Sequence, residues 1–252
     1  MPAPGTGTQR CRTRLPPATW TGARALSADH PATSIDLKGR SPPAFIAVEG
    51  PIGVGKTTLA KRLAATFNYQ TLLEEADQNP FLERFYRNRK QAALATQLFF
   101  LFQRAQKIGD LRQADIFEPV RVSDFLIEKD PLFARVNLDS DEFQLYQRIY
   151  RQLQVDAPRP DLVIYLQAPT DVLLERIDSR GVAHERGIQR DYLERLNEVY
   201  SEFFLYYDDA PLLIVNASEI DLANDDQDYR HLVDYLLDIR SGRHYFNPTF
   251  FG

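Results

Sequence analysis

The sequence has little cysteine and no long apolar run. Among its 252 residues, Cys11 is the single cysteine, which excludes an internal disulfide framework and is compatible with a reducing compartment. No apolar stretch approaches the roughly 18 residues of a membrane-spanning helix. The net charge of −5 argues against a nucleic-acid-binding surface as the main function. We therefore expect a globular, cytoplasmic chain with neither a membrane nor a nucleic acid as its partner.

Residues 1–43 differ in composition from the rest of the chain. They are rich in Pro, Thr, Ala and Gly, and they carry six basic residues against two acidic ones. Such a segment cannot bury enough apolar surface to become ordered. It fits an organellar transit peptide or a plain disordered tail, and Pro16 and Pro17 favour the tail because they interrupt any amphipathic helix. We expect a disordered extension over 1–43 and one folded domain over 44–252.

Residues 50–57 match the phosphate-binding pattern G-x-x-x-x-G-K-[ST]. Its glycines let backbone N–H groups approach phosphate oxygens, Lys56 reaches the β and γ phosphates, and the Thr57 hydroxyl is placed to ligate Mg²⁺. An apolar run precedes the loop and helical spacing follows it, which puts the phosphates at a helix N-terminus. The sequence therefore predicts a nucleoside triphosphate site. The residues assigned to it are Gly50, Pro51, Ile52, Gly53, Val54, Gly55, Lys56, Thr57 and Thr58.

Apolar runs alternate with helical patterns from residue 44 onward. The runs lie at 45–48, 71–73, 120–123, 162–166 and 212–215. This alternation predicts an α/β fold in which a five-stranded parallel sheet is flanked by helices in three layers. Ligands of such sheets bind beyond the carboxyl ends of the strands.

Acidic residues follow two of the predicted strands. Glu74 and Glu75 come after the second run, and Asp124 comes after the third. A carboxylate there can accept a proton from an attacking hydroxyl or hold Mg²⁺ directly or through water. Each acid alone is equally well explained as a helix cap or a surface residue. Because phosphoryl transfer needs a base and a metal, the three together favour function, with Asp124 and Thr57 assigned to the metal.

The helix predicted over 91–106 is apolar nearly all round, yet it carries two polar residues on one face. Gln97 and Arg104 stand seven residues apart. Buried amide and guanidinium groups need hydrogen-bond partners, and the edge of a nucleobase would satisfy both. An intramolecular network, or an Arg104 head group at the solvent edge, would also satisfy them.

Two arginines lie four residues apart on a helix predicted to begin near residue 170. Arg176 and Arg180 repel each other at this spacing, and an anion between them would relieve the repulsion. A solvated face paired with Glu175 and Asp178 is the alternative. The presence of a phosphate loop in the same chain favours the anion.

Five sequence blocks occur in an order and spacing typical of one enzyme family. They are IAVEGPIGVGKTT at 46–58, NPFLERFY at 79–86, QLFFLFQR at 97–104, SDFLIEKDPLFA at 123–134 and RIDSRG at 176–181. The blocks resemble those of the bacterial deoxynucleoside kinases, and the likeness extends over about 44–249. The resemblance implies a P-loop enzyme that uses ATP and Mg²⁺ and forms a homodimer through two helices of each subunit.

The resemblance also implies roles for individual residues. Glu74 matches the general base toward the sugar 5′-hydroxyl, while Tyr86 and Glu185 match the pair that binds the 3′-hydroxyl. The positions that match base-reading residues are Gln97, Arg104 and Asp130, and Asp124 is expected in the same substrate site. Arg176 and Arg180 resemble the arginines of a mobile lid, which would act with Lys56 on the transferring phosphate.

The chain departs from the family pattern at three places. Phe125 follows Asp124 where the family usually has an arginine that helps orient the base and the phosphates. Val182 stands where many relatives have another lid arginine, for which Arg186 is a candidate substitute. Glu75 replaces the usual proline after the base, so both acids are candidates for that role, and we favour Glu74.

These observations predict an enzyme that transfers the γ-phosphoryl group of ATP to the 5′-hydroxyl of a deoxynucleoside. Purine deoxynucleosides are favoured because relatives with the Asn-Pro-Phe-Leu block often use them. Two alternatives are open: a thymidylate or other nucleoside monophosphate kinase, and a non-catalytic nucleotide-binding member of the family. The intact Lys56 and Thr57 argue against the second, and the absent arginine at Phe125 argues for it.

Overall fold

A computed structural model describes residues 35–114, 121–153, 157–220, 222 and 225–247. The strands of this part of the chain are β1 (Phe45–Glu49), β2 (Gln70–Leu72), β3 (Arg121–Ser123), β4 (Leu162–Gln167), β5 (Leu212–Asn216) and β6 (Arg243–Phe246). They form one parallel sheet in the order β2-β3-β1-β4-β5-β6. Each connection between successive strands therefore crosses over the sheet, which requires long connections such as helices.

Helices supply these connections. They are α1 (Lys56–Phe67), α2 (Leu82–Arg87), α3 (Arg89–Ala114), α4 (Lys129–Asn137), α5 (Ser140–Leu153), α6 (Thr170–Arg180), α7 (Arg190–Tyr206) and α8 (Asp226–Leu236). Short 3₁₀ turns cover Ala76–Gln78 and Ala183–Gly187. Helix α6 ends at Gly181, whose φ of +66° is the left-handed conformation that commonly ends a helix.

The core has two parts, one on each face of the sheet. Along β1, Ile46 and Val48 pack with α1 and α8, whereas Ala47 packs with α2, α3 and α7. This division follows from strand geometry, because successive side chains point to opposite faces. The predicted three-layer α/β architecture is confirmed.

The predicted number of strands was wrong by one. Strand β6 pairs with β5 at the edge of the sheet, and within it only Phe246 is buried. Because Arg243 and His244 interrupt any apolar run, the sequence gives no strand signal there. An edge strand needs fewer apolar residues, since its outer side is not covered by another strand.

Strand β1 lies at the point where the order of the strands reverses, because β2 and β3 lie on one side of it and β4, β5 and β6 lie on the other. Its neighbours are β3 on one side and β4 on the other, so the loop after β1 opens into the crevice between them. Ligands of open α/β sheets bind at such a switch point. Strands β2 and β3 end at the same edge of the sheet, so the acidic residues that follow them lie near this crevice.

The last part of the predicted extension contacts the domain. Ile35 and Leu37 pack against the core beside α8, and Arg40 Nη1 donates to Asp238 at 3.0 Å. Arg40 also pairs with Asp234. The remainder of the extension, residues 1–34, lies outside the described residues, and its disorder stays a prediction. Within the described segments, no helix combines the length and the apolar character that crossing a bilayer requires.

Candidate active site

The loop at residues 50–57 connects β1 to α1 and depends on glycine at two positions. A Cβ atom on Gly50 would lie 2.5 Å from the carbonyl oxygen of Leu166, closer than any carbon can approach it. Gly53 has a φ of +86°, and a Cβ there would lie 2.8 Å from Ile177 Cγ1. The loop therefore packs directly on β4 and α6 and leads into the N-terminus of α1, a position that favours an anion.

Lys56 lies inside the curve of this loop. Its Nζ donates to the carbonyl oxygens of Gly50 at 2.8 Å and Pro51 at 3.0 Å. Burial and, to a smaller extent, the neighbouring ammonium group of Lys129 lower the pKa of Lys56 to about 8, against the opposing effect of nearby carboxylates. Phosphate oxygens would supply the negative charge that this buried ammonium group needs.

Thr57 and Asp124 meet beside the loop. The Thr57 hydroxyl donates to Asp124 Oδ2, and Asp124 Oδ1 accepts from the Glu74 backbone N–H at 2.7 Å. Burial raises the pKa of Asp124. A hydroxyl and a carboxylate are oxygen ligands of the kind that Mg²⁺ takes. In the described ranges, no cluster of three or more His, Cys, Asp or Glu residues is arranged to hold a metal.

Glu74 and Glu75 point in different directions. Glu74 accepts hydrogen bonds from Arg104 Nη2 and, at 3.5 Å, from Lys129 Nζ. Burial would raise the pKa of Glu74, but Arg104, Lys129 and Lys56 together lower it to about 2. Glu75 is half exposed and pairs with Lys107 Nζ at 3.2 Å. Only the carboxylate of Glu74 therefore faces the interior.

An inner cavity of about 150 Å³ opens in front of Glu74. Its lining includes the loop residues Gly53 and Lys56 and the polar side chains predicted for the substrate, namely Glu74, Tyr86, Gln97, Arg104, Asp124 and Glu185. Gln97 and Arg104 are both buried on α3 and both line this cavity, so they share one face of the helix. Burial raises the pKa of Tyr86 well above its usual value, so its hydroxyl stays protonated and can donate.

Asp130 takes a different place from the other substrate-site candidates. It is fully buried behind Arg104 and pairs with Arg104 Nη1, and it does not line the inner cavity. Burial raises the pKa of Asp130, Arg104 opposes this effect and the nearby Glu74 adds to it, and the resulting pKa is about 6. Asp130 thus orients the guanidinium group of Arg104. Arg104 separates Asp130 from the cavity and from any ligand in it.

An outer cavity of about 640 Å³ lies on the other side of the loop. Its lining includes Gly55, Thr58, Arg176, Ser179, Ala217 and Ser218. Gly53 and Arg180 line both cavities, so the two spaces meet at the loop and the predicted lid. A phosphate chain bound on the loop would therefore lie between the two cavities, each of which can hold one molecule.

The two arginines of the predicted lid are held by different partners. Arg176 Nη2 donates to the carbonyl oxygen of Ala217 at 2.7 Å. Arg180 Nη2 donates to both carboxylate oxygens of Glu185, at 2.8 Å and 2.6 Å. Arg186, the candidate substitute for an arginine at Val182, is exposed and does not line either cavity.

Sequence reasoning missed two buried charged residues next to Glu74. Glu49, at the end of β1, accepts from the N–H groups of Gly50 at 3.0 Å and Leu126 at 2.8 Å and from the Tyr200 hydroxyl at 2.8 Å. Lys129, at the start of α4, lies 3.5 Å from Glu49 Oε2. A carboxylate inside a buried strand directly before the phosphate loop was a usable signal for Glu49. Lys129 gave none, because its burial depends on the packing of α4.

The fold and the site together define a class of enzyme. A phosphate loop at the carboxyl edge of a parallel sheet, an ionised buried carboxylate facing it, and two cavities that meet there are the parts of a P-loop phosphotransferase. These parts leave the acceptor undefined.

Comparison with known proteins defines the family. The family model described as deoxynucleoside kinase matches residues 46–239. A deoxyguanosine kinase from Bacillus subtilis (strain 168) is 33% identical over 203 residues, which cover 77% of this chain and 97% of that protein. A deoxyadenosine/deoxycytidine kinase from the same organism is 31% identical over 205 residues, covering 77% and 92%. The structure of a deoxyadenosine kinase from M. mycoides with bound dATP aligns with a TM-score of 0.66 at 28% identity, covering 77% of this chain and 100% of that one.

The chain therefore belongs to the deoxynucleoside kinase family. It is an enzyme that phosphorylates deoxynucleosides. The resemblance drawn from the five sequence blocks is confirmed.

The close contact at Gly50 generates a prediction about nucleotide binding. In Gly50→Ala, the added Cβ must displace the backbone of β4 or of the loop, so we expect ATP binding to be lost and roughly 1–3 kcal/mol of unfolding free energy with it. Gly109→Ala is the matched control, because a Cβ there meets nothing within 4 Å and favours helix α3. Calorimetric titration with ATP and urea unfolding measure the two effects. Normal ATP affinity in Gly50→Ala would contradict the assignment of this loop.

Proposed function

We propose that the enzyme transfers the γ-phosphoryl group of ATP to the 5′-hydroxyl of a purine deoxynucleoside. The observation that supports this most directly is that the two cavities meet at Gly53 and Arg180. ATP binds with its phosphates on the loop and its nucleoside in the outer cavity. The deoxynucleoside enters the inner cavity with its 5′-hydroxyl toward the loop. The phosphoryl group then moves across the shared boundary in line with the attacking and leaving oxygens.

Glu74 is the base in this reaction. Its carboxylate lines the inner cavity and, with a pKa of about 2, is ionised throughout the physiological pH range. It accepts the proton of the 5′-hydroxyl as that oxygen bonds to phosphorus. In a loose transition state little proton transfer is needed early, so orientation of the hydroxyl matters more than high basicity.

Lys56 and the lid arginines stabilise the charge of the transferring group. Lys56 exchanges its carbonyl partners in the loop for phosphate oxygens. Arg176 and Arg180 lie on one face of α6 next to the boundary between the cavities and can reach the phosphates from the opposite side. Because Arg180 is bound to Glu185 in this structure, it has to exchange or share that partner when the phosphates arrive.

Thr57 and Asp124 are the residues that would hold Mg²⁺. Their hydroxyl and carboxylate oxygens lie together next to the loop, where phosphate oxygens of ATP would complete the coordination. When bound, Mg²⁺ would neutralise part of the phosphate charge and orient the phosphate chain. Asp124 also fixes the backbone of Glu74, which links the metal ligand to the base.

The sugar and the base are recognised by separate groups. Tyr86 and Glu185 face the inner cavity from the α2 side and the lid side, where they can bind the 3′-hydroxyl. Gln97 offers an amide to the edge of the base, and Arg104 offers donors whose orientation Asp130 fixes. A purine fits this set because guanine presents two adjacent acceptors to an arginine, and adenine pairs with an amide. The names of the deoxyguanosine and deoxyadenosine kinases to which the chain is similar support the same choice.

We also propose that two copies of the chain associate through α3 and α5. These helices pack together, and each exposes a large apolar side chain to solvent, Phe102 at 50% and Leu145 at 47%. Covering such side chains is a common use of a homodimer interface. A cytoplasmic location, a role in nucleotide salvage and the absence of a nucleic-acid partner are proposals that come from the sequence.

The assignment of the base is tested by two adjacent substitutions. Glu74→Gln keeps the shape of the side chain and removes its charge, so we expect kcat to fall by roughly 10²–10⁴-fold. Glu75→Gln is the matched control, since its half-exposed carboxylate faces away from the cavity, and its kcat should stay close to that of the wild type. Steady-state kinetics with a deoxynucleoside and Mg·ATP measure both. The reverse order of effects would move the base to Glu75.

The acceptor is tested with a panel of four deoxynucleosides and the four matching 5′-monophosphates. With Mg·ATP, we expect the highest kcat/KM for deoxyguanosine or deoxyadenosine and no turnover of the monophosphates, because the cavity polar groups are suited to a neutral 5′-hydroxyl next to Glu74. A higher kcat/KM for a pyrimidine deoxynucleoside would contradict the purine assignment. Turnover of monophosphates alone would contradict the proposed acceptor altogether.

The dimer is tested by adding charge to its proposed interface. We expect the wild type to have the mass of two 29.0 kDa chains in light scattering after gel filtration, and Phe102→Glu to have the mass of one. Tyr206→Glu is the control, because Tyr206 is a large exposed aromatic residue on a different helix, α7. A wild type with the mass of a single chain, or a dimer separated only by Tyr206→Glu, would exclude an interface through α3 and α5.

A further inference from the structure

Lys129 is a buried cation in an unfavourable position. Its side chain is 3% exposed, and it occupies the first turn of α4, where the helix dipole presents partial positive charge. A buried ammonium group is costly unless it is paired. Lys129 Nζ has two carboxylate partners in the structure, Glu49 Oε2 and Glu74 Oε2, each at 3.5 Å.

The two partners of Lys129 differ in freedom. Glu49 is fully buried, and its two oxygens are fixed by the backbone N–H groups of Gly50 and Leu126 and by the Tyr200 hydroxyl. Glu74 has a side chain that is 18% exposed and lines the inner cavity. Lys129 therefore connects an immobile carboxylate in the sheet to the carboxylate that faces the substrate.

Lys129 and Arg104 bind different oxygens of Glu74. Arg104 donates to Oε1, and Lys129 approaches Oε2. One cation would leave the carboxylate free to rotate about that contact, whereas two cations on opposite oxygens fix its plane. Each carboxylate oxygen still has a second lone pair with which it can accept from an incoming hydroxyl.

Position 125 does not supply this second cation. Phe125 is 3% exposed and packs with Ile108 and Ile127 in a small apolar cluster at the side of the site. Its ring centroid lies 5.9 Å from Arg104 Cζ, so the side chain borders the charged group without carrying charge. A positive group on the Oε2 side of Glu74 has to come from another element, and α4 provides it.

We propose that Lys129 is a positioning residue that replaces the cation absent at position 125 and holds Glu74 in the orientation that receives the 5′-hydroxyl. This rests on the proposed role of Glu74 as the base. With Lys129 in this role, a chain that has Phe125 still has two cations, Arg104 and Lys129, bound to the Glu74 carboxylate. The second cation then comes from helix α4.

The experiment compares Lys129→Met, Lys129→Arg and the control Lys90→Met, which removes an exposed lysine of α3. For Lys129→Met we expect kcat to fall roughly 10–100-fold while KM for the deoxynucleoside changes little, because the substrate still binds but Glu74 is no longer held in place. Lys129→Arg should recover part of kcat. Lys90→Met should match the wild type in every readout.

A double variant keeps the test decisive if Lys129→Met fails to fold. Removing Lys129 alone leaves Glu49 as a buried unpaired charge, whereas Glu49→Gln with Lys129→Met removes both charges and preserves shape. We expect this folded double variant to show the same loss of kcat with little change in KM. A wild-type kcat in a folded variant without Lys129 would overturn the proposal.

Glu74→Gln separates this inference from the proposed function. If Glu74→Gln is inactive while a folded variant without Lys129 has normal kinetics, the base assignment stands and the role of Lys129 is wrong. If Glu74→Gln retains normal activity, the base assignment itself is wrong, and the role of Lys129 fails with it.

Discussion

Charge that is buried beneath the phosphate loop has to be paired, and this constraint organises the site. Arg104 bridges Glu74 and Asp130, and Lys129 bridges Glu74 and Glu49. Removing any one of these groups would leave an uncompensated charge in the interior, which is more costly than never having buried the pair. The same contacts that satisfy this electrostatic requirement orient the carboxylate of Glu74, the proposed base, which lines the inner cavity. Stability and the geometry of the proposed base therefore depend on one network.

The sheet brings the parts of this network together. Strands β2, β3 and β1 are neighbours, so the acid after β2, the acid after β3 and the loop after β1 end side by side. Asp124 connects two of them directly, because its carboxylate accepts from both the Thr57 hydroxyl and the Glu74 backbone. Helices α3 and α4 then add Arg104 and Lys129 from outside the sheet. A nucleotide bound at the loop would meet a site whose charges are already arranged, which limits the reorganisation needed during the reaction.

Features that depend on local sequence were predictable, and features that depend on tertiary packing were not. The loop, the strand ends at Glu74 and Asp124, and the shared face of Gln97 and Arg104 follow from spacing along the chain, and the structure has them where spacing puts them. The choice between Glu74 and Glu75 could not be made in this way, because adjacent residues differ only in which partners they meet after folding. Strand β6 has no apolar run, and the burial of Lys129 has no periodic signal. Both depend on neighbours that are distant in sequence.

The central claim is that ATP binds with its phosphates on the loop while the 5′-hydroxyl of a deoxynucleoside contacts Glu74 in the inner cavity. A crystal structure with a bisubstrate analogue, in which phosphates join adenosine to the 5′-oxygen of deoxyguanosine, measures this arrangement directly. We expect adenosine in the outer cavity, phosphates on residues 50–57, and the 5′-oxygen of deoxyguanosine within roughly 2.6–3.2 Å of the Glu74 carboxylate. A deoxyguanosine group outside the inner cavity, or a 5′-oxygen that contacts Asp124 in place of Glu74, would contradict the claim.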